Sequence, residues 1–548
     1  MERRLLFAIS LMIVVAVLPS LFMKPAPRRA PARRAAVASD SNAPVPVAAS
    51  VAAPSRTAAP ATQVASPVAT AAGDTVSLAS SRSILRFNSV GAVLERGELP
   101  TYRSFGSSRA GGPVDLVRPG DRLLGYRVVL GLDTVRFDSV AFSLSRSGGS
   151  VSFAATQGTV RLDVTYSRKA GRNYEIEVSG SLGGLDARGG LLLIGLGTGL
   201  ANVDADSADN YRRYGVVGRL GSPVQKSFQS VPPGQTATLD GPFDWVAVKS
   251  KYFIGALLSS DSSRREFGGA VLTGGPRTGR AATHTQTWVT RAVGADGQFR
   301  FSLYLGPQEY REMRALGREL DKASPYGWIF KPIVMPVSVW ITQLLLWMHQ
   351  FLHLGYGLVL ILFGILVRVV LWPLNQKAMM SSVAMQAVQP LLKDVQARYK
   401  DDPKRMQQEV MKVYKEHGVN PLGGCLPMLL PFPVLIALFF VFQVTIEFRG
   451  VPFLWLPDLS LRDPYYIIPL VMGASMWAIS KLGQVGLPPN PQAKMMTTIM
   501  PVVMTVMFLN FASGLNLYYA VSNLVSLPQQ LLINKARVRE TERRRGKA

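Results

Sequence analysis

The 548-residue sequence is poor in the groups on which soluble enzymes depend. A single cysteine and four histidines leave no internal disulfide and make a multi-ligand zinc or iron–sulfur site an unexpected feature. Charged residues are 17% of the chain, against roughly 25% in a typical soluble domain. Acids are the scarcer sign, and 35 Asp and Glu against 60 Lys and Arg leave a net charge of +25. A chain short of solvating groups yet strongly basic is not an ordinary cytosolic enzyme. Catalytic patterns are missing too: no Gly-rich phosphate loop, no His-Glu-x-x-His, and no acid or histidine within the later apolar runs to serve a serine as base. Ser381 and Ser382 near Lys377 occupy ordinary helix positions, and His349 and His353, at i and i+4, have no third ligand nearby. No enzymatic activity, cofactor or DNA partner is expected.

What is present is organised in blocks. Within residues 1–23, an apolar run over 5–23 is preceded by Arg3 and Arg4 and lacks the small-x-small pattern of a cleavage site, which predicts an uncleaved transmembrane anchor over 1–23. No cysteine follows it, so lipid attachment there is excluded. Residues 24–73 are Ala, Pro, Val, Ser and Arg, too poor in large apolar groups to offset the entropy of ordering, and read as a linker. Over 74–306 the pattern becomes short alternating runs broken by Gly, Ser and Asn. Residues 160–166 and 174–178 alternate strictly around a turn at 168–172, and further strand-like segments fall at 85–87, 151–153, 245–258 and 301–305. This predicts an antiparallel β-sandwich, placed outside the cell membrane by the argument below. Residues 307–354 read as a short polar helix at 309–320 and a Trp-rich amphipathic helix at 337–354 lying at the membrane interface.

An α-helical core of five spans follows over 355–534, at 355–374, 422–445, 465–482, 495–511 and 515–533. The connection 375–418 carries eight Lys/Arg against five acids and the tail 535–548 seven against two, whereas the link 447–464 has Arg449 and Arg462 against three acids. The positive-inside rule therefore puts the connection and the tail in the cytoplasm; counting back, the β domain is outside and Met1 inside. Arg28, Arg29, Arg33 and Arg34 run against this count, which rests on two independent cytoplasmic segments.

Arg368 lies within the first of these five spans, roughly 9 Å from its cytoplasmic end at 1.5 Å per residue. Snorkelling to the interface is one reading. The other follows from the lack of any Asp or Glu inside the five spans: an unpaired guanidinium there requires a wet recess open to the cytoplasm, which would attract acidic groups. Asn516, Asn523 and Gln530 recur every seven residues with Tyr519 and Ser526 between them, and Thr505 adds a polar point on the preceding span. The stripe either lines the recess or serves hydrogen bonds between helices. Pro421, Pro427, Pro431, Pro433 and Pro501 favour kinked, partly wet helices. The cytoplasmic segment 379–418 reads as a helical hairpin broken near Asp402-Pro403, its apolar side including Met385, Leu392, Met406 and Met411; that side is either a packed seam or a face for varied apolar clients. The tail residues Lys535, Arg537, Arg539, Arg543, Arg544 and Arg545 suit ribosomal RNA, anionic lipid or topology alone.

Four motifs carry a resemblance: Val367-Arg368-Val369-Val370-Leu371-Trp372-Pro373-Leu374, the run 420–427 (NPLGGCLP), the run 463–469 (DPYYIIP) and the run 513–524 (SGLNLYYAVSNL). With Trp245-Val246-Ala247, Tyr252-Phe253 and the run 304–307 (YLGP), they make the chain from about residue 74 onward resemble the YidC family of bacterial membrane protein insertases, in its Gram-negative form with a large periplasmic domain. Asn516 departs from the family, whose members often have an aliphatic residue there. The resemblance implies an inner-membrane insertase and chaperone whose hydrophilic groove, with Arg368 as its arginine, opens to cytoplasm and lipid. It implies nascent membrane proteins as clients, with the Sec translocon, the ribosome, a targeting receptor and anionic lipids as partners. A small-anion transporter and a passive scaffold built on the β domain are the competing readings.

Overall fold

The computed structural model describes residues 73–106, 110–185, 189–261, 264–278, 281–323, 331–418, 432–485 and 491–545. The expected anchor and linker lie outside them.

The alternating segments assemble as antiparallel sheets. Val160–Arg168 pairs with Glu175–Gly183 in the register Val164↔Gly180, and its odd–even burial follows the alternation read from sequence. These two strands belong to a nine-stranded sheet that runs from Ser222–Ser227 through Gly215–Leu220, Trp245–Lys249, Phe253–Ser259, Gln298–Pro307, Glu175–Gly183, Val160–Arg168 and Ser150–Gln157 to Ser143–Ser147. A six-stranded sheet faces it, in the order Thr236–Phe243, Phe267–Gly274, Thr285–Val293, Gly190–Gly195, Tyr126–Leu130 and Asp133–Arg136. The core is shared: the Tyr126 and Tyr166 hydroxyls meet at 3.0 Å across the two sheets, and Phe267 and Phe301 pack edge to face.

The segment 245–258 is two strands around a turn at 250–252, and both are buried along their whole length. Burial on two faces needs a third layer. A four-stranded sheet, from Thr75–Ala79 to Pro113–Asp115, supplies it. Gly97 approaches so closely that a Cβ there would stand 2.5 Å from Leu305 Cδ2, and Tyr102 packs edge-on to Phe253.

The helices, numbered among the described residues, begin with α1 (Ser207–Arg213) inside the β domain. The polar helix expected over 309–320 is shorter, α2 (Tyr310–Ala315), because Gly317 and the two residues after it take left-handed φ values. α3 (Lys331–Leu352) starts earlier than the sequence suggested, carrying Pro336 within it. α4 (Tyr356–Ala387) holds the first predicted core span and continues well past it, since neither glycine nor proline interrupts residues 374–387. The helix restarts as α5 (Gln389–Arg398), with Pro390 in its first turn, where proline's missing N–H costs nothing. α6 (Pro403–Glu416) completes the hairpin, capped by the Asp402 carboxylate, which accepts from Arg405 N at 3.1 Å. Then come α7 (Phe432–Val444), α8 (Ile467–Gly483), α9 (Pro491–Phe508) and α10 (Ser513–Arg545). Among the described residues one helical segment, Tyr356–Lys377, is both long and apolar enough to cross a bilayer; Val434–Gln443, Ile467–Gly483 and Thr497–Phe508 are shorter apolar helices.

Candidate functional site

Arg368 projects from α4 onto α10. Its Nε donates to the Ser522 carbonyl at 3.1 Å and to the Ser526 hydroxyl, which in turn donates to Ser522 O at 2.5 Å. Among the described residues no carboxylate pairs with this guanidinium, and its terminal nitrogens make no hydrogen bond. Val367, Leu371, Tyr518, Tyr519, Ser522 and Asn523 surround it and enclose a cavity of about 70 Å³. α4 and α10 approach closely here because Gly364 offers no side chain: a Cβ on it would touch Val521 and Ser522. A cation held by neutral oxygens, with several N–H donors unspent, is built to receive an acceptor from elsewhere.

Tyr519, Asn523 and Ser526 of the polar stripe therefore gather around Arg368, and Tyr518 and Ser522 join them. The others fall elsewhere. Asn516 donates to Phe508 O at 3.0 Å and so closes the tight turn between α9 and α10. Gln530 bonds Asn534 at 3.1 Å, and Asn534 bonds the Leu482 carbonyl at 2.6 Å, capping the end of α8. Thr505 bonds back to Pro501 O at 2.7 Å and packs on Gly473. Asn516 thus bonds between helices and Gln530 reaches α8 through Asn534, whereas the Thr505 hydrogen bond stays within α9. Sequence reasoning passed over Gln529, which accepts from Asn375 at 2.9 Å and donates to Trp372 O at 3.3 Å, tying α10 to α4 on either side of Pro373. Its periodicity was readable, since 522, 526 and 529 share a face with 519.

In the hairpin, Leu392 is buried, Met406 half-buried and Met411 exposed, and α6 has no buried residue. The Met385 side chain lies outside the described residues, as do those of Arg537, Arg539, Arg543, Arg544 and Arg545, although α10 itself runs through Arg545; Lys535 is exposed.

Asp463, in the motif 463–469, is fully buried and acts as a cap. Its carboxylate accepts from the backbone N–H of Tyr465 and Ile468 and from the Trp455 indole, which starts α8. A second buried polar cluster joins the segment after α7 to the β domain. Arg449 Nε meets Asp204 Oδ1 at 2.6 Å, its terminal nitrogens donate to the Arg103 and Val203 carbonyls, and Phe105 and Phe253 cover its faces. Arg213 of α1 bonds Gln443 of α7, and Ile446 enters the apolar core of the β domain.

Residues 347–541 match the family model for the 60Kd inner membrane protein, and residues 216–348 the model for the YidC periplasmic domain. Together with a β-rich domain joined to apolar helices, they define an inner membrane protein with a periplasmic domain. Relatives then make the assignment particular. The membrane protein insertase YidC of Chlorobium phaeovibrioides is 32% identical over 77% of this chain and 71% of its own length. That of Geotalea daltonii is 31% identical over 98% and 99%. A solved structure titled as an active YidC insertase with its first transmembrane domain resolved aligns over 83% of this chain and 92% of that one, at 16% identity and a TM-score of 0.34. The chain belongs to the YidC family of membrane protein insertases, as its sequence motifs suggested, and its substrates are nascent membrane proteins. No finding supports the small-anion transporter.

Proposed function

We propose that insertion proceeds through a groove between α4 and α10 with Arg368 at its centre. An incoming protein places its polar outer segment beside the guanidinium, while its apolar segment moves into lipid along α7 and α9. Partition of about 20 apolar residues into the bilayer drives the step, aided by the membrane potential acting on acidic groups. The observation that carries this reading is the Arg368 environment: neutral oxygens on one side, unspent N–H donors on the other, and no carboxylate among the described residues. In this reading five spans cross the membrane, an anchor precedes the linker, the β domain is outside, and the α5–α6 hairpin and the basic end of α10 face the cytoplasm. The hairpin face with Met385, Leu392, Met406 and Met411 meets clients, and Lys535 and the arginines beyond it meet ribosome or lipid. The Sec translocon and a targeting receptor are partners for a subset of clients.

The test uses purified protein in liposomes without any Sec component and a single-span client with a short acidic outer tail. Protection of the tail from protease with wild type and Arg368→Lys, but not Arg368→Ala, is the expected result. Equal protection with all three would remove Arg368 from the mechanism.

A further inference from the structure

Away from the groove, α2 and α3 form a recess of about 430 Å³ lined by Tyr310, Arg311, Arg314, Ala315, Gln343 and Leu346. Its polar lining consists almost wholly of donors. The Tyr310 hydroxyl accepts from Arg314 Nη1 and from Gln343 Nε2, both at 3.0 Å, so its lone pairs are occupied and its hydrogen is free to point outward. Arg311 Nη2 donates to Gln350 Oε1 at 3.0 Å. Both arginines are exposed, and neither forms an ion pair among the described residues. Among the described residues no acid lines the recess: Glu312 pairs with Arg82 at 3.4 Å and Glu309 meets the Tyr102 hydroxyl at 3.4 Å, and Glu309 and the buried Glu447 feel the Arg311 charge without an ion pair to it. Two guanidinium groups, a phenol and an amide converging without a carboxylate match a phosphate bearing several acceptor oxygens.

The same face of α3 says where that phosphate comes from. Trp340, Trp347 and Phe351 are exposed at helical spacing beside Gln343 and Gln350, and the Trp347 and Phe351 rings stack at 5.1 Å. An aromatic stripe next to a basic recess is the pattern of a helix at a bilayer surface, with rings among acyl chains and cations at the headgroups. Free phosphate would leave the stripe in water.

We propose that the α2–α3 recess is a binding site for the phosphodiester headgroup of an anionic phospholipid of the outer leaflet. The proposal rests on the reading that α3 lies at the outer membrane interface. The lipid would pin the joint between the β domain and the helices to the bilayer surface.

The experiment titrates the purified full chain with phosphatidylglycerol or phosphatidylcholine and counts retained lipid by native mass spectrometry, for wild type and Arg311→Gln/Arg314→Gln. At about 1 kcal/mol per arginine near an anionic surface, phosphatidylglycerol affinity should fall roughly fivefold per arginine, with phosphatidylcholine unaffected. Both side chains are exposed, so the double variant should fold, and Arg311→Lys/Arg314→Lys should recover part of the selectivity. Unchanged phosphatidylglycerol binding in the glutamine variant overturns the site. Displacement of the lipid by equimolar inorganic phosphate overturns the lipid as occupant. A bimane label on Trp347→Cys in a Cys425→Ser background, quenched by brominated lipid, reports the depth of α3 separately. Quenching at headgroup depth without headgroup selectivity would defeat the site and leave the interfacial helix standing; no quenching would defeat both.

Discussion

Arg368 is the residue on which the insertion chemistry turns, and its surroundings predict a graded response. Alanine removes charge and donors together, so clients with acidic outer segments should lose insertion, on the order of tenfold, while neutral clients lose little; lysine keeps the charge and should retain most activity. Equal loss for both client types in a protease-protection assay would remove the charge from the explanation. Glu447 makes a second prediction at this scale. Among the described residues its Oε2 is enclosed without a hydrogen-bond partner, and burial pushes the carboxyl up to about 7, a backbone hydrogen bond and the Arg311 charge opposing the shift and the Glu309 charge adding to it. The unfolded carboxyl titrates near 4.5. Between these values the folded chain holds the extra proton, so stability falls as pH rises through that window and stays reduced above it. Glu447→Gln should therefore raise the melting temperature at pH 8, a gain of up to about 3 kcal/mol, and change it little at pH 4. A variant whose stability tracks wild type at both pH values would contradict the buried-acid account.

Between elements, close helix approach and buried ion pairs set the arrangement. Gly473 of α8 faces Thr505 of α9, and an added Cβ would stand 1.9 Å from its hydroxyl oxygen. Gly473→Val should cost roughly 1–3 kcal/mol by overpacking, and Thr505→Ala should recover part of the loss; additive costs in detergent melting curves would show that the two helices do not meet there. Arg449→Ala would leave Asp204 buried without its ion-pair partner and should cost roughly 3–5 kcal/mol, seen as early proteolysis between the β domain and the helices. Sequence reading at this scale had mixed reach. Strict alternation at 160–166 predicted a strand and its face, because a half-buried strand writes its environment into every second residue. The end of α4 was not legible: its extension past the apolar span has the same residue types as a separate hairpin helix, and only Pro390 marks the restart.

For the whole molecule, the β domain is more than an appendage. Removing residues 75–305 takes away the core that holds Ile446 and the partners of Arg449, so the remaining helices should melt earlier even if insertion persists. A truncated chain that inserts a Sec-independent client in liposomes at a comparable initial rate, with a lower melting temperature, is the expected outcome; loss of insertion in a chain that stays folded would make the β domain part of the machinery.

The amino-acid sequence by itself determined the β-rich part and the helices after it, the strand alternation, the isolated arginine and the family. Each is a local property, readable from periodicity, composition or a short motif. Which polar residues meet Arg368 was decided by the tertiary structure. Asn516, Asn523 and Gln530 have equivalent spacing on one helix, yet one closes a turn, one lines the Arg368 cavity and bonds Ser475, and one caps α8 through Asn534. Helical spacing assigns residues to a face but is blind to the neighbour opposite that face. That neighbour is chosen by where Gly364 and Gly473 let the helices come together.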